Sequence, residues 1–346
     1  MDPRHLAGRL ALAFAGALAG TILLAGAALA QTATTTTTPA IGPVGPVATS
    51  TPTGSPAATG TTTVPTFTPT QTAVAGTITP TPGTPTATVT PSTAPAMAHD
   101  ERYFSQTGFR IDNDVIWDYF NRRGGISTFG YPTSRTFMFR GFNVQFFQRR
   151  VVELGPTGAR QLNLLDPGLL NFTRFNNAIV PGVDQAIIQS APPATDAPAT
   201  LAFVQRIAVN TFNNRPVNYY QTFTSTVAFQ VAFPAGGDPN LLLGIELEMW
   251  GVPTSNPAAD PNNANFIYQR WQRGIMHYDA GCNCTQGLLL ADYLKAVITG
   301  QNLPADVDQQ AQGSPFYKQY DPTKPNWIRD PGKLSNTNFT NAFTQG

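Results

Sequence analysis

Cysteine and histidine are the first places to look for chemistry, and the chain holds few of either. Its two cysteines are Cys282 and Cys284, in Gly281-Cys-Asn-Cys-Thr285, and only His99 and His277 lie beyond the N-terminal apolar stretch. His277 with both thiols could offer three ligands to zinc. Outside the cytoplasm, however, such a pair is expected to oxidise. The ring it closes is too small to remove much chain entropy, so the bond would act as a local clip. A disulfide between Cys282 and Cys284 is therefore expected, with no metal and no cofactor. Nucleophilic catalysis finds no support either. Gly125-Ile-Ser127-Thr-Phe129 lacks the final glycine of a nucleophile elbow, and no glycine-rich phosphate loop precedes a helix. Glycoside cleavage needs two facing carboxylates, and the glutamates beyond residue 97 are only Glu101, Glu153, Glu246 and Glu248. Glu246 and Glu248 would share a face on a strand but diverge on a helix, and pairing with arginine is the expectation. No catalytic residue is expected.

Glutamine and arginine carry the stronger signal, because they recur in one pattern. Phe129-Gly-Tyr-Pro-Thr-Ser134 is followed by Val144-Gln-Phe-Phe-Gln-Arg-Arg150, and Trp250-Gly-Val-Pro-Thr-Ser255 by Tyr268-Gln-Arg-Trp-Gln-Arg-Gly274. Gln145, Phe147, Gln148 and Arg149 thus fall on Gln269, Trp271, Gln272 and Arg273. Farther on, Asn163-Leu-Leu-Asp166 stands opposite Leu289-Leu-Ala-Asp292. A long internal period marks supersecondary units that bury their apolar faces against one another or against inserted structure. Core packing would demand only matching apolar residues, so shared polar ones mean either common backbone partners or a common ligand contact. If structural, Arg149 and Arg273 would be largely buried, bonding carboxylates or turn carbonyls of their own unit; this is the favoured expectation. If functional, Tyr131, Phe147, Gln148, Arg149, Trp250, Trp271, Gln272 and Arg273 would form a binding surface, with rings stacking on sugar faces and amides or guanidinium groups bonding hydroxyls.

The aromatic-Gly-x-Pro-Thr-Ser element followed by Gln-aromatic-Gln-Arg resembles the LGFP repeat of bacterial cell-surface proteins, over Trp117–Ala159 and Leu247–Thr285. Phe129-Gly-Tyr-Pro132 and Trp250-Gly-Val-Pro253 stand where that family has Leu-Gly-Phe-Pro. The resemblance implies hairpin-rich repeats that help attach a protein to the cell envelope. This chain departs from it in its Gln-Arg pairs and in separating the copies by an insertion. The folded part also resembles a group of uncharacterised secreted bacterial proteins sharing the Gln272-Arg-Gly-Ile-Met-His-Tyr278 segment, from which no activity carries over.

The surrounding chain must position these residues. Residues 1–30 read as a secretory signal: Arg4, His5 and Arg9, then an uncharged apolar run, then Ala28-Leu-Ala30 as a cleavage site. An uncleaved anchor is the alternative, since Leu10–Ala30 is about long enough to span a bilayer. Residues 31–97 hold no charge and many Thr-Pro pairs, a composition that cannot offset its ordering entropy and favours an extended stalk. Removing residues 1–30 leaves basic and acidic residues equal in number, which gives no footprint for nucleic acid or anionic membrane. The expected order continues with a first unit over 98–170, a bridging insertion over 171–222, a second unit over 223–300 and an extended tail over 301–346. Helices are expected over Asp112–Arg123 and Gly287–Thr299. Strand composition marks Phe137–Phe139, Asn143–Phe147, Arg150–Leu154, Val217–Gln221 and Ser225–Phe233. The adjacent Phe146 and Phe147 suggest a bulge or a strand buried on both faces. Leu241–Trp250 could be either helix or buried strand.

The expected fold is α+β, mainly β. The expected function is that of a secreted or cell-surface non-catalytic module on a Thr/Pro stalk, binding envelope polysaccharide or another surface component such as a surface protein. No membrane contact is expected once the signal is cleaved. The alternatives are a glycan-directed hydrolase with an unrecognised site and a purely structural spacer.

Overall fold

Asn113 starts the first helix by accepting hydrogen bonds from the backbone N–H groups of Val115 and Ile116, satisfying donors that a helix start leaves open. In this computed structural model, residues 100–346 are described; the expected signal over 1–30 and stalk over 31–97 lie outside them. A short antiparallel pair, β1 (Tyr103–Phe104) and β2 (Phe109–Arg110), precedes α1 (Asp114–Arg122) and α2 (Gly125–Phe129). The chain then forms an antiparallel meander of β3 (Phe137–Phe139), β4 (Phe142–Phe146), β5 (Val151–Gly155) and β6 (Gly158–Leu162). A second small pair follows, β7 (Arg174–Phe175) and β8 (Ala178–Ile179).

Five helices come next: α3 (Gln185–Gln189), α4 (Ala197–Ile207), α5 (Tyr219–Thr224), α6 (Phe229–Ala232) and α7 (Leu242–Trp250). Here the structure corrects the sequence. The segments Val217–Gln221 and Ser225–Phe233, rich in β-branched and aromatic residues, lie largely in or beside the short helices α5 and α6. Packing explains the reversal, since Tyr219, Phe223 and Ala232 point into the core from one side of each short helix, and tertiary burial overrides weak propensity.

A second four-stranded meander comprises β9 (Ala258–Ala259), β10 (Phe266–Arg270), β11 (Ile275–Asp279) and β12 (Cys284–Gly287). It leads into α8 (Leu290–Thr299), which ends at Gly300 with φ 71°, and then α9 (Ala305–Ala311). The segment 301–346 is thus not extended throughout. Beyond α9 it crosses the first sheet in irregular backbone, and Phe339 and Phe343 pack on Phe137. Helix accounts for 29% of the described residues and strand for 21%, a mixture of helices and antiparallel sheets in which helix is the larger share. Among the described residues no helix is long and apolar enough to cross a membrane.

Two hydrophobic clusters form the interior, and the central strands feed both. Phe147, Val152, Ile267, Trp271 and Met276 join one cluster with α1, α4 and α7. Their neighbours Phe146, Val151, Tyr268 and Ile275 join the other with α8 and the C-terminal tail. Successive side chains of a strand point to opposite faces, so these strands are apolar on both faces. That resolves the run at Phe146-Phe147.

Candidate functional site

Each sheet is entered through a helix that stops at a glycine. α2 ends at Gly130 (φ 75°) and α7 at Gly251 (φ 67°), a backbone conformation open to glycine without steric cost. Space requires glycine too. A Cβ at Gly130 would lie 2.7 Å from the Gln148 Cβ, and one at Gly251 would lie 2.6 Å from the Gln272 Cβ. The glutamines come this close because each closes the turn with its side chain. Gln148 Oε1 accepts from Tyr131 N–H at 3.0 Å, and Gln272 Oε1 accepts from Val252 N–H at 3.0 Å.

The agreement continues residue by residue. Arg149 N–H donates to Phe129 O at 2.9 Å, and Arg273 N–H donates to Trp250 O at 3.0 Å. Ser134 Oγ accepts from Phe146 N–H, and Ser255 Oγ accepts from Arg270 N–H, at 2.8 and 2.9 Å. The buried amides Gln145 Nε2 and Gln269 Nε2 donate to Ser134 O and Ser255 O at 3.0 and 3.1 Å. Each also reaches outside its sheet, to Arg110 O and Ile207 O respectively. The polar residues shared by the two segments therefore brace the Pro-Thr-Ser turns.

This geometry separates the sequence candidates. Phe147 and Trp271 are 0% exposed and Trp250 only 5%. Phe147 stacks on Phe120 at 5.3 Å and Trp271 on Phe223 at 5.3 Å, so these rings are core and offer no face to a sugar. Tyr131 is half-buried, edge-on to Phe104. Gln148, Arg149 and Arg273 are half-buried and Gln272 is exposed. The largely buried arginine of the first turn is Arg150, a residue outside the sequence candidates. Its guanidinium lies 4.5 Å over the Trp250 ring and bonds Met249 O and Gln161 Oε1, each at 2.6 Å. Burial pushes it down to about 10. Gly274 occupies the matching place in the second segment, where a Cβ would come within 2.9 Å of the Trp250 ring.

Arg149 bonds the opposite sheet and not its own. Its Nε donates to Gly287 O at 3.2 Å and its NH2 to Gln286 Oε1 at 3.1 Å. It thereby enters a cleft of about 640 Å³ whose wall is β12 and α8, with His277, Asp292, Tyr293 and Lys295 also lining it. Asp292 is anchored through its backbone N–H to Gln148 O at 3.1 Å. Burial pushes its carboxyl up to about 6, against the pull of Lys295 and Arg149. Burial lowers Lys295 as well; its Nζ donates to Thr133 O at 2.7 Å. His277 is pushed down to about 4 by burial, so it is neutral near pH 7. No ion pair joins Asp292 to Arg149 or Lys295 among the described residues.

Asp292 and Lys295 were not sequence candidates. The signal available was the pairing of Leu289-Leu-Ala-Asp292 with Asn163-Leu-Leu-Asp166, whose shared aspartate lies outside the aromatic motif. Elsewhere, α7 turns Glu246 and Glu248 apart, as a helix must. Glu248 pairs with Arg123 at 2.8 Å, whereas Glu246 accepts from Val227 N–H at 3.1 Å and forms no ion pair with an arginine among the described residues. The sulfurs of Cys282 and Cys284 are bonded to each other at the tip of the β11–β12 hairpin. Among the described residues no group of three or more His, Cys, Asp or Glu is placed to hold a metal ion.

Comparison with protein families, with curated proteins and with solved structures returned no match in any of the three.

Proposed function

We propose that the chain is an exported, non-catalytic module, held on its Thr/Pro stalk, that binds a hydroxyl-rich acidic polysaccharide of the cell envelope. The two Gly-x-Pro-Thr-Ser segments and their sheets are read as two copies of one LGFP-like unit. Their matched turn hydrogen bonds support that reading, since a common set of polar partners is what a duplicated unit retains.

The observation that carries the binding reading is the cleft beside α8. The Arg149 guanidinium and the Asp292 carboxylate line it without forming an ion pair with one another, while the Lys295 ammonium is turned to Thr133 O and the rings of Phe109 and Phe343. A guanidinium and a carboxylate that face a shared open space without pairing are placed to engage a ligand's polar groups. Arginine suits a carboxylate, and an aspartate can accept hydroxyl donors. Asp292 is the only carboxylate among the lining residues, whereas glycoside hydrolysis requires two flanking the bond. The lining thus favours holding a glycan over cutting it. Buried aromatics leave recognition to the polar groups.

The test is titration calorimetry of the mature protein with oligogalacturonates, beside neutral cello-oligosaccharides, together with sedimentation on isolated cell walls. Acidic oligomers should bind, and Arg149→Gln should weaken them about tenfold or more while leaving the melting temperature close to wild type. Affinity should rise as pH falls through about 6, because protonating Asp292 removes the one negative charge facing an acidic ligand. Equal binding of neutral and acidic oligomers, or none of either, would overturn the proposal.

A further inference from the structure

The arginine of the second turn has a cleft of its own. About 370 Å³ in volume, it is lined by Gln272 and Arg273 from the second sheet's turn and by Asn163 and Asp166 from the segment that follows the first sheet. In the first cleft Arg149 belongs to the first sheet's turn and Asp292 to the segment following the second sheet. The arrangement is reciprocal. Each cleft takes the arginine of one Gln-Arg turn and the aspartate of the other half's Leu-rich segment.

The groups in the second cleft are available for binding. Arg149 spends two donors on Gly287 and Gln286. The Arg273 side chain, half-buried, donates to no protein group and forms no ion pair among the described residues. Gln272 commits only its Oε1, to Val252 N–H, which leaves its exposed amide nitrogen as a donor. Asp166 is exposed, with one oxygen taken by Asn163 Nδ2 at 2.6 Å and the other free to accept. Arg270 also lines this cleft, but its guanidinium is tied to Pro181 O, Asn171 Oδ1 and Phe172 O. Three of its five N–H donors are thus spent on the wall.

We infer that this second cleft is a second subsite for the same class of ligand, an acidic sugar unit, which makes the module bivalent for a repeating polymer. The inference rests on the reading of the first cleft as a glycan site. Arg273 takes the sugar carboxylate with its planar fork, while the Gln272 amide and the Asp166 carboxylate take hydroxyls. Its smaller cavity makes it the weaker of the two.

Titration calorimetry with a short probe, digalacturonate, reads the number of subsites directly. Wild type should bind two equivalents in two phases. Arg273→Gln should keep one, losing the weaker phase, and Arg149→Gln should keep one, losing the tighter phase. Melting curves within about 2 °C of wild type confirm that each variant is folded. As a second readout, the Arg273 Nε–H signal in the nitrogen-15 spectrum should shift on saturation. A single equivalent that disappears in Arg149→Gln and is indifferent to Arg273→Gln, with a silent Arg273 signal, overturns the second subsite while the first reading stands. No binding by wild type removes both.

Discussion

Glu246 shows how one side chain can govern the pH response of the fold. It is 2% exposed; one oxygen accepts from Val227 N–H, and the other has no partner among the described residues. Burial raises its pKa to about 8 from an ordinary value of 4.5, with Val227 and Arg150 pulling the other way. A carboxyl raised in the folded state contributes stability that is fully present below the unfolded value. That contribution is lost as pH rises toward the folded value. Between pH 4.5 and about 8 the unfolded chain gains the freedom to ionise while the folded one keeps its proton. Glu246→Gln removes this ionisation while keeping an acceptor for Val227. The variant should therefore gain on wild type as pH rises across that window, by about 3–5 kcal/mol at the top of it. Urea melts of both proteins at pH 5 and pH 8.5 check this; parallel pH dependence would show that Glu246 is already ionised. The sequence offered no route to this role, because Glu246 became a buried acid only once Leu241–Trp250 formed a helix. The same holds for Arg150. Next to Arg149 in sequence, it faces the opposite way in space, and only the structure shows which of the two is buried.

Elements were more legible than residues wherever the pattern was local. The helix over Asp112–Arg123 announces itself by Asn113, an apolar stripe and a glycine stop, and α1 spans Asp114–Arg122. The turn at Arg140-Gly141, between the strands expected over Phe137–Phe139 and Asn143–Phe147, is likewise written in its residues, whereas β6, which follows Gly155-Pro-Thr-Gly158, was not expected. α5 and α6 were not legible, because six and four residues are too few to display a helical period, and what holds them is burial against distant strands. The glycine stops of α2 and α7 lie between these extremes. The motif was visible from the sequence, but the reason for it is the glutamine opposite. Gly130→Ala or Gly251→Ala would place a Cβ within 2.7 or 2.6 Å of that glutamine's Cβ, at φ 75° or 67°. Relief means moving the glutamine and freeing the Tyr131 or Val252 N–H. Strain together with an unpaired buried donor should cost about 2–4 kcal/mol for either variant. Gly141→Ala supplies the contrast, since it has positive φ but nothing nearer than 3.8 Å, and it should cost about 1 kcal/mol. Chemical melts of the three proteins measure the difference; equal losses would mean that backbone conformation alone accounts for the motif.

At the scale of the molecule, the units visible in the sequence differ from the units that bury a core. The first sheet lies within residues 98–170, but neither of its apolar faces is covered from within that range alone. On one face Phe147 and Val152 share a cluster with Val204, Phe223, Met249 and Trp250. On the other, Phe137, Phe139 and Phe146 share a cluster with Phe316, Phe339 and residues of α8. Arg150 adds a polar tie, from the first sheet's turn to Met249 O and the Trp250 ring. A sheet buried on both faces by distant segments exposes large aromatics when cut out, and the loss of burial at about 25 cal/mol per Å² exceeds the marginal stability of a small domain. The fragment 98–170 should therefore fail to fold by itself, with poorly dispersed amide resonances. The chain 98–346 should unfold in one cooperative transition, with tryptophan fluorescence and far-ultraviolet dichroism giving coincident curves. Phe339→Ala, on the tail, should lower that single transition by about 3–5 kcal/mol, although it lies outside both sequence units. A well-dispersed spectrum from 98–170, or two separate transitions in 98–346, would show that the units fold independently. The two clefts would then sit between separable bodies and not within one core.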